Sequence, residues 1–136
     1  MRILIKIMFV CHGNICRSTM AEFVMKDLVR KAGLADKFII NSSATSREEI
    51  GCDTHYGTKA KLREMNIPFS KRKAVQITKQ DYDMYDYIIV MDNNNLRNLS
   101  YIIGEDTEHK VYKMMSFVGE NRDVKETYFF ICQFLL

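Results

Sequence analysis

The sequence predicts an α/β fold, a doubly wound and mainly parallel four-stranded sheet flanked by helices, on three observations. Apolar, β-branched runs of strand length (Ile3 to Val10, Tyr87 to Met91) are too continuous for a sheet with one wet face and suit a sheet covered on both. Segments with helical spacing separate these runs, as parallel strands require. Residues that stop or cap helices, among them Gly33, Pro68 and Asp92, fall between the two patterns.

Taken in order, a first strand is expected from about Arg2 to Val10. A helix follows from Ser18 to about Lys31, with Met20, Phe23, Val24 and Leu28 on one stripe and Gly33 beyond its end. Phe38 to Ser43 reads as a second strand, followed by a polar stretch from Thr45 to Gly51. Asp53 or Thr54 can cap a helix that runs through Met65 and stops before Pro68. Ala74 to Ile77 is a short extended piece, and Thr78 with Asp81 forms a capping pair for one helical turn. The run Asp81 to Tyr87 reads as a helix end entering the next strand, Tyr87 to Met91. Asp92 then caps a further helix, and Lys110 to Met114 is the last strand. No repeat, linker or low-complexity tract divides residues 1–136, so a single domain is expected.

Composition narrows the functions. The chain has 136 residues, of which 47% are hydrophobic, enough for a core without disulfide or metal staples. A net charge of +3 does not argue for nucleic acid or an anionic membrane, and no run is long enough to span a bilayer. The apolar start carries Lys6 and leads directly into the loop described next, so it reads as a core strand rather than a leader. The four cysteines (Cys11, Cys16, Cys52, Cys132) lack zinc-ligand spacing, and two lie in that loop. A working thiolate implies a reducing compartment, so a cytoplasmic location is expected.

The chemistry concentrates in Cys11-His12-Gly13-Asn14-Ile15-Cys16-Arg17-Ser18, between the first strand and the first helix. A loop that turns a strand sharply into a helix aims successive backbone N–H groups inward, forming an anion nest at a helix N-terminus. Gly13 and Asn14 are residue types that tolerate the left-handed angles of such a nest. Arg17 adds a planar fork for two oxygens of a phosphate or similar oxyanion. Cys11, at the strand end, is expected to point its sulfur into the cradle, where the same dipoles favour thiolate over thiol. Ser18 is placed to donate to that sulfur when it leaves a phospho-cysteine. No metal or other cofactor is needed, because Arg17 and the backbone neutralise the phosphate. His12 needs no chemical role, and His55 and His109 are isolated surface residues by default.

The run C-H-G-N-I-C-R-S-T-M-A-E resembles the signature of the low-molecular-weight protein tyrosine phosphatases, C-x-G-N-x-C-R-S. The resemblance runs from Ile3 to about Val124. It includes Ser42 to Ser46, Lys73 to Thr78, Asp81-Tyr82 and Asp86 to Asp92. It implies a flavodoxin-like three-layer fold, Cys11 as nucleophile, Arg17 as phosphate ligand, and Asn14 and Ser42 in a buried network that holds the loop open. It further implies Cys16 as a disulfide partner that protects Cys11 from over-oxidation. Three positions depart from the pattern. Arg72 stands where a histidine often joins the network, Glu48 where an aromatic walls the cleft, and Thr19 where proline is usual.

The larger departure is at the C-terminus. The family's general acid lies in an Asp-Pro motif followed by aromatics, yet the only proline here is Pro68. Asp123 and Glu126 are the candidate replacement acids in that region, Asp123 before Glu126. Loss of a positioned acid costs ~10²–10⁴ in rate, most for poor leaving groups. The closing stretch from Phe129 to Leu136 is apolar on every side if helical, so it packs into the core or covers a partner, a homodimer included.

The expected activity is therefore hydrolysis of phosphotyrosine or small aryl phosphate monoesters, with inorganic phosphate or another oxyanion held in the loop. Three alternatives share the cradle. A phosphoarginine phosphatase tends to carry Thr where Ile15 stands. An arsenate reductase needs two further cysteines close together, whereas Cys52 and Cys132 are eighty positions apart. A catalytically weak phosphotyrosine- or phosphate-binding protein would keep the cradle without the acid.

Overall fold

The structure, a computed structural model, describes residues 3–125. Four strands, β1 (Ile5–Cys11), β2 (Phe38–Ala44), β3 (Tyr87–Val90) and β4 (Val111–Lys113), form one sheet in the order β2-β1-β3-β4. Every pairing is parallel. The helices are α1 (Arg17–Lys31), α2 (Tyr56–Glu64), α3 (Lys79–Met84) and α4 (Asn93–Ile103). The doubly wound parallel sheet thus stands as expected.

β1 is the central strand and explains its own composition. Ile7, Phe9 and Cys11 face one core with Met20, Phe23 and Val24 of α1, Leu62 of α2, Ile89, Met114 and Val124. Met8 and Val10 face a second core with Ile88 and Val90, Tyr82 of α3, and Leu99 and Ile103 of α4. A strand buried on both faces must be apolar at successive positions, which is why its sequence does not alternate.

Several boundaries move. β1 begins at Ile5 rather than Arg2 and ends on Cys11, so the nucleophile candidate is the last residue of the ladder. β2 gains Ala44, which also bridges to Gln76. The expected start of α2 is corrected: neither Asp53 nor Thr54 caps it. His55 does, its Nδ1 accepting from the Gly57 N–H at 3.1 Å. The Asp53 carboxylate is occupied by the Thr54 and Arg72 N–H groups and by Lys59. The capping pair Thr78/Asp81 is present in both directions at the head of α3, and Asp92 with Asn95 forms a second at α4. Gly33, at φ +73°, ends α1. The residues after Lys113 turn through a 3-10 helix, Met114–Val118, which the sequence did not suggest. The apolar stretch from Phe129 to Leu136 and Glu126 lie outside the described residues.

The strand order reverses direction at β1. Ligands of open parallel sheets settle beyond the strand carboxyl ends at such a switch point, here between β1 and β3. The loop after β1 and Asp92 after β3 are both there.

Candidate active site

The turn from β1 into α1 brings the loop's side chains together around the Cys11 sulfur. Asn14 takes the left-handed conformation, φ +57°, and its N–H points at Cys11 Sγ at 3.3 Å. Cys11 Sγ lies 3.1 Å from the Ser18 hydroxyl. Ser18 Oγ also accepts from Asn14 Nδ2 at 2.8 Å, and with the sulfur ionised the Ser18 hydroxyl can donate to it. Cys11, Asn14 and Ser18 are all buried. Cys16 precedes α1 at its N-cap, half-buried, and the first turn of α1 carries no acidic side chain to cancel the dipole.

Gly13 corrects one expectation. It does not adopt a left-handed angle, and only Asn14 in this loop does. The requirement at Gly13 is room: a Cβ there would stand 3.3 Å from Glu49 Cγ. The segment after β2 is laced onto the loop, with the Thr45 N–H on the Cys11 carbonyl at 3.0 Å and Ser46 Oγ donating to the His12 carbonyl at 2.8 Å. Glu48 pairs with His12 Nε2 at 2.9 Å at the rim, and Ile15 accepts the His55 N–H on its carbonyl.

Beneath the loop a buried polar network fixes Asn14. Its Nδ2 also donates to Ser42 Oγ at 2.9 Å, and Ser42 in turn donates to Glu22 Oε1 at 2.5 Å. Lys26 Nζ, one helical turn on, neutralises Glu22 at 2.5 Å. Asn14 Oδ1 accepts from the Val75 N–H at 3.2 Å and from Arg72 Nη2. Arg72 therefore does join the network, although a histidine is usual at its position. Asn14 and Ser42 meet as the resemblance implied.

Arg17 enters from the helix side with its guanidinium nearly fully buried. Its Nη1 donates to Asp92 Oδ2 at 2.6 Å and to the Val124 carbonyl at 2.9 Å. Asp92 thus does two jobs, since its Oδ1 accepts from the Asn95 N–H at 2.7 Å as the cap of α4. Val124 is stitched to the end of β3 by its N–H on the Met91 carbonyl at 2.8 Å. Asp123, one residue earlier, accepts from the Asn93 N–H at 3.1 Å and from Lys113 Nζ at 2.7 Å. Cys52 is exposed, and Cys11, Cys16 and Cys52 form no disulfide among the described residues.

Asp92, Glu22 and Asp53 are the site residues that sequence reasoning missed. Asp92 was legible, because it lies two residues beyond the end of β3 on the carboxyl side of the switch point. Glu22 sits inside the signature run, but nothing in its spacing shows that it turns inward. Among the described residues no group of three His, Cys, Asp or Glu side chains could hold a metal ion, and no helix is long and apolar enough to cross a membrane.

A doubly wound parallel sheet whose switch point carries a cysteine-centred amide loop backed by a buried arginine defines a class of cysteine-dependent phosphate-handling proteins. Comparison with known proteins narrows the class. Residues 6–129 match the low molecular weight phosphotyrosine protein phosphatase family, and the chain belongs to it. It is 37% identical over 128 residues to the low molecular weight protein-tyrosine-phosphatase YfkJ of Bacillus subtilis, covering 93% of this chain and 82% of that one. With the human low molecular weight phosphotyrosine protein phosphatase it shares 43% over 94 residues, 69% of this chain but 59% of the human one. The crystal structure of YfkJ superposes with a TM-score of 0.91 at 34% identity, over 97% of this chain and 87% of that one. That of SP-PTP from Streptococcus pyogenes gives 0.83 at 35% identity, over 97% and 89%.

Proposed function

We propose that the protein hydrolyses phosphotyrosine and related aryl phosphate monoesters through a phospho-cysteine on Cys11. The observation that carries this reading is the buried sulfur in the loop, contacted by the Asn14 N–H and by the Ser18 hydroxyl that Asn14 Nδ2 also holds. An anionic sulfur so held is a nucleophile in the first step and a stabilised leaving group in the second. The phosphate sits in the loop with its oxygens on backbone N–H groups, and Arg17, braced by Asp92 and Val124, supplies the compensating charge.

In the first step the Cys11 sulfur attacks phosphorus, the ester P–O bond breaks, and the aryloxide leaves and takes a proton. In the second, water attacks phosphorus, the S–P bond breaks, inorganic phosphate departs and the sulfur recovers its electron pair. Ile15 at the loop position, rather than a small polar residue, supports an aryl over a guanidino phosphate. The thiol chemistry fits a reducing compartment.

Proton delivery to the aryloxide is where this chain differs. Residues 1–136 contain no Asp-Pro, and Asp123, the described carboxylate of that region, has its Oδ1 tied to Lys113 Nζ and to the Asn93 N–H. Turnover is therefore expected to depend steeply on leaving-group pKa, with activated aryl phosphates favoured over tyrosine's phenolate by ~10²–10⁴. Steady-state hydrolysis of a leaving-group series, with acid-quench trapping of the intermediate, tests both points. The phospho-enzyme should form on the wild type and vanish in Cys11→Ser. A flat leaving-group dependence would show that an acid operates. Phosphate binding with neither trapping nor turnover would leave a binding protein.

A further inference from the structure

We propose that the cleft between α1 and the 68–70 turn binds a small aromatic carboxylate and transmits its occupancy to the loop through Lys26. The cleft is distinct from the loop, since Lys26 lies about 14 Å along α1 from Arg17. Binding there is independent of the reading of Cys11 as nucleophile, whereas its effect on turnover rests on that reading.

The cleft has a volume of about 310 Å³ and sets cations beside an aromatic floor. Phe23, buried, meets Phe69 edge-on with ring centroids 6.1 Å apart, and the Arg63 guanidinium stands 5.2 Å from the Phe69 ring. Lys26 and Arg30, one helical turn apart, also line it, with side chains 46% and 57% exposed. Their carboxylate partners leave donors to spare. Lys26 Nζ gives one hydrogen bond to Glu22 Oε2 at 2.5 Å, and Arg30 gives Nη2 to Asp27 Oδ1. Lys31 Nζ takes the other Asp27 oxygen at 2.9 Å and, with Arg30, holds that buried carboxyl below its ordinary range. Four cations (Lys26, Arg30, Lys31, Arg63) thus meet two carboxylates (Glu22, Asp27), an excess of two positive charges beside two rings. That combination selects an anion carrying a flat apolar group over either part alone.

Hydrogen bonds join Lys26 to Cys11. Glu22, which Lys26 neutralises, accepts from Ser42, Ser42 accepts from Asn14 Nδ2, and Asn14 gives its N–H to Cys11 Sγ. An anion that draws Lys26 away leaves the buried Glu22 charge less compensated, beneath a loop that holds a thiolate and a phosphate. Occupancy of the cleft therefore slows turnover without blocking the loop.

The probe is naphthoate, with naphthylmethanol as the ring without the charge and acetate as the charge without the ring. Each is titrated into isotope-labelled protein whose backbone amides are followed by NMR, and hydrolysis of an aryl phosphate is measured alongside. Naphthoate should shift the amides of Lys26 to Arg30 and of Phe69 and Ser70 saturably, binding at least about fivefold tighter than either control. Arg30→Gln and Phe69→Leu should each weaken it at least about threefold and leave hydrolysis without probe at the wild-type rate. If Phe69→Leu does not fold, Arg30→Gln decides. Naphthoate should lower the wild-type kcat about twofold or more at saturating substrate, and do so less in Arg30→Gln at the same concentration. Inhibition relieved by substrate, with shifts confined to residues 11–18, would put the probe in the loop and overturn the proposal. Equal binding of naphthylmethanol overturns the anion site, and saturation of the cleft at unchanged kcat overturns the link through Lys26. Absence of hydrolysis in every form would sink the reading of Cys11, while the titration would still decide on the cleft.

Discussion

Asn14 is the residue on which the loop's geometry can be tested most directly, because glycine and alanine there separate backbone from side chain. Both substitutions remove the donors to Ser18 and Ser42 and the acceptor for Val75 N–H and Arg72. Asn14 is completely buried, so each stranded partner costs about 1–3 kcal/mol, reduced where water enters the vacated space. Glycine adopts φ +57° freely, whereas alanine there adds roughly 1–2 kcal/mol of left-handed strain. Asn14→Gly should therefore lose about 2–4 kcal/mol and Asn14→Ala about 1 kcal/mol more, a large share of a typical 5–15. The order is informative, since alanine is ordinarily the more stable of the two. Urea unfolding with unchanged m-values measures it. Alanine as stable as glycine, or either variant within about 0.5 kcal/mol of wild type, would refute the account.

Asp92→Asn keeps the cap on α4 but removes the charge that braces Arg17, so kcat/KM should fall at least about tenfold with little loss of stability. Asp92→Ala should lose the same activity and a further ~1 kcal/mol in urea unfolding; equal kinetics for Asp92→Asn and wild type would break the link to Arg17. Lys59, with the Thr54 and Arg72 N–H groups, holds the Asp53 carboxyl down at about 2. Its folded value lies below the unfolded ~3.9, so its contribution is present above that value and lost as pH falls toward the folded one. Thermal melts from pH 5 to pH 2 should show this acid limb, and Asp53→Asn should flatten it.

How far the sequence reaches depends on whether a position's role is local. β1 and β3 were legible because burial on both faces demands unbroken apolar runs. Thr78/Asp81 and Asp92 were legible because a cap and its partner sit three residues apart. The start of α2 was misread because Asp53, a good cap by type, serves Lys59 and the distant Arg72 backbone instead. Gly13 and Asn14 were read alike, and only the closeness of Glu49 shows that they answer different constraints. Arg72 lies 58 positions from Asn14, and no periodicity joins residues so far apart. The family resemblance marked that position while leaving open what an arginine does in it.

The convergence on Arg17 shows why the end of the described chain belongs to the site. Arg17 opens α1, Asp92 follows β3, and Val124 lies beyond β4, yet one guanidinium nitrogen serves the last two. The Val124 N–H closes the circuit on Met91, the residue between β3 and Asp92. A buried arginine with a carboxylate and a carbonyl both engaged cannot relocate without stranding them, so the charge beside the loop is preorganised before substrate arrives. The same bonds hold Val124 against the loop, and the chain leaves the described region two residues later. Asp123, one residue before Val124, turns its Oδ1 toward Lys113 and the first turn of α4.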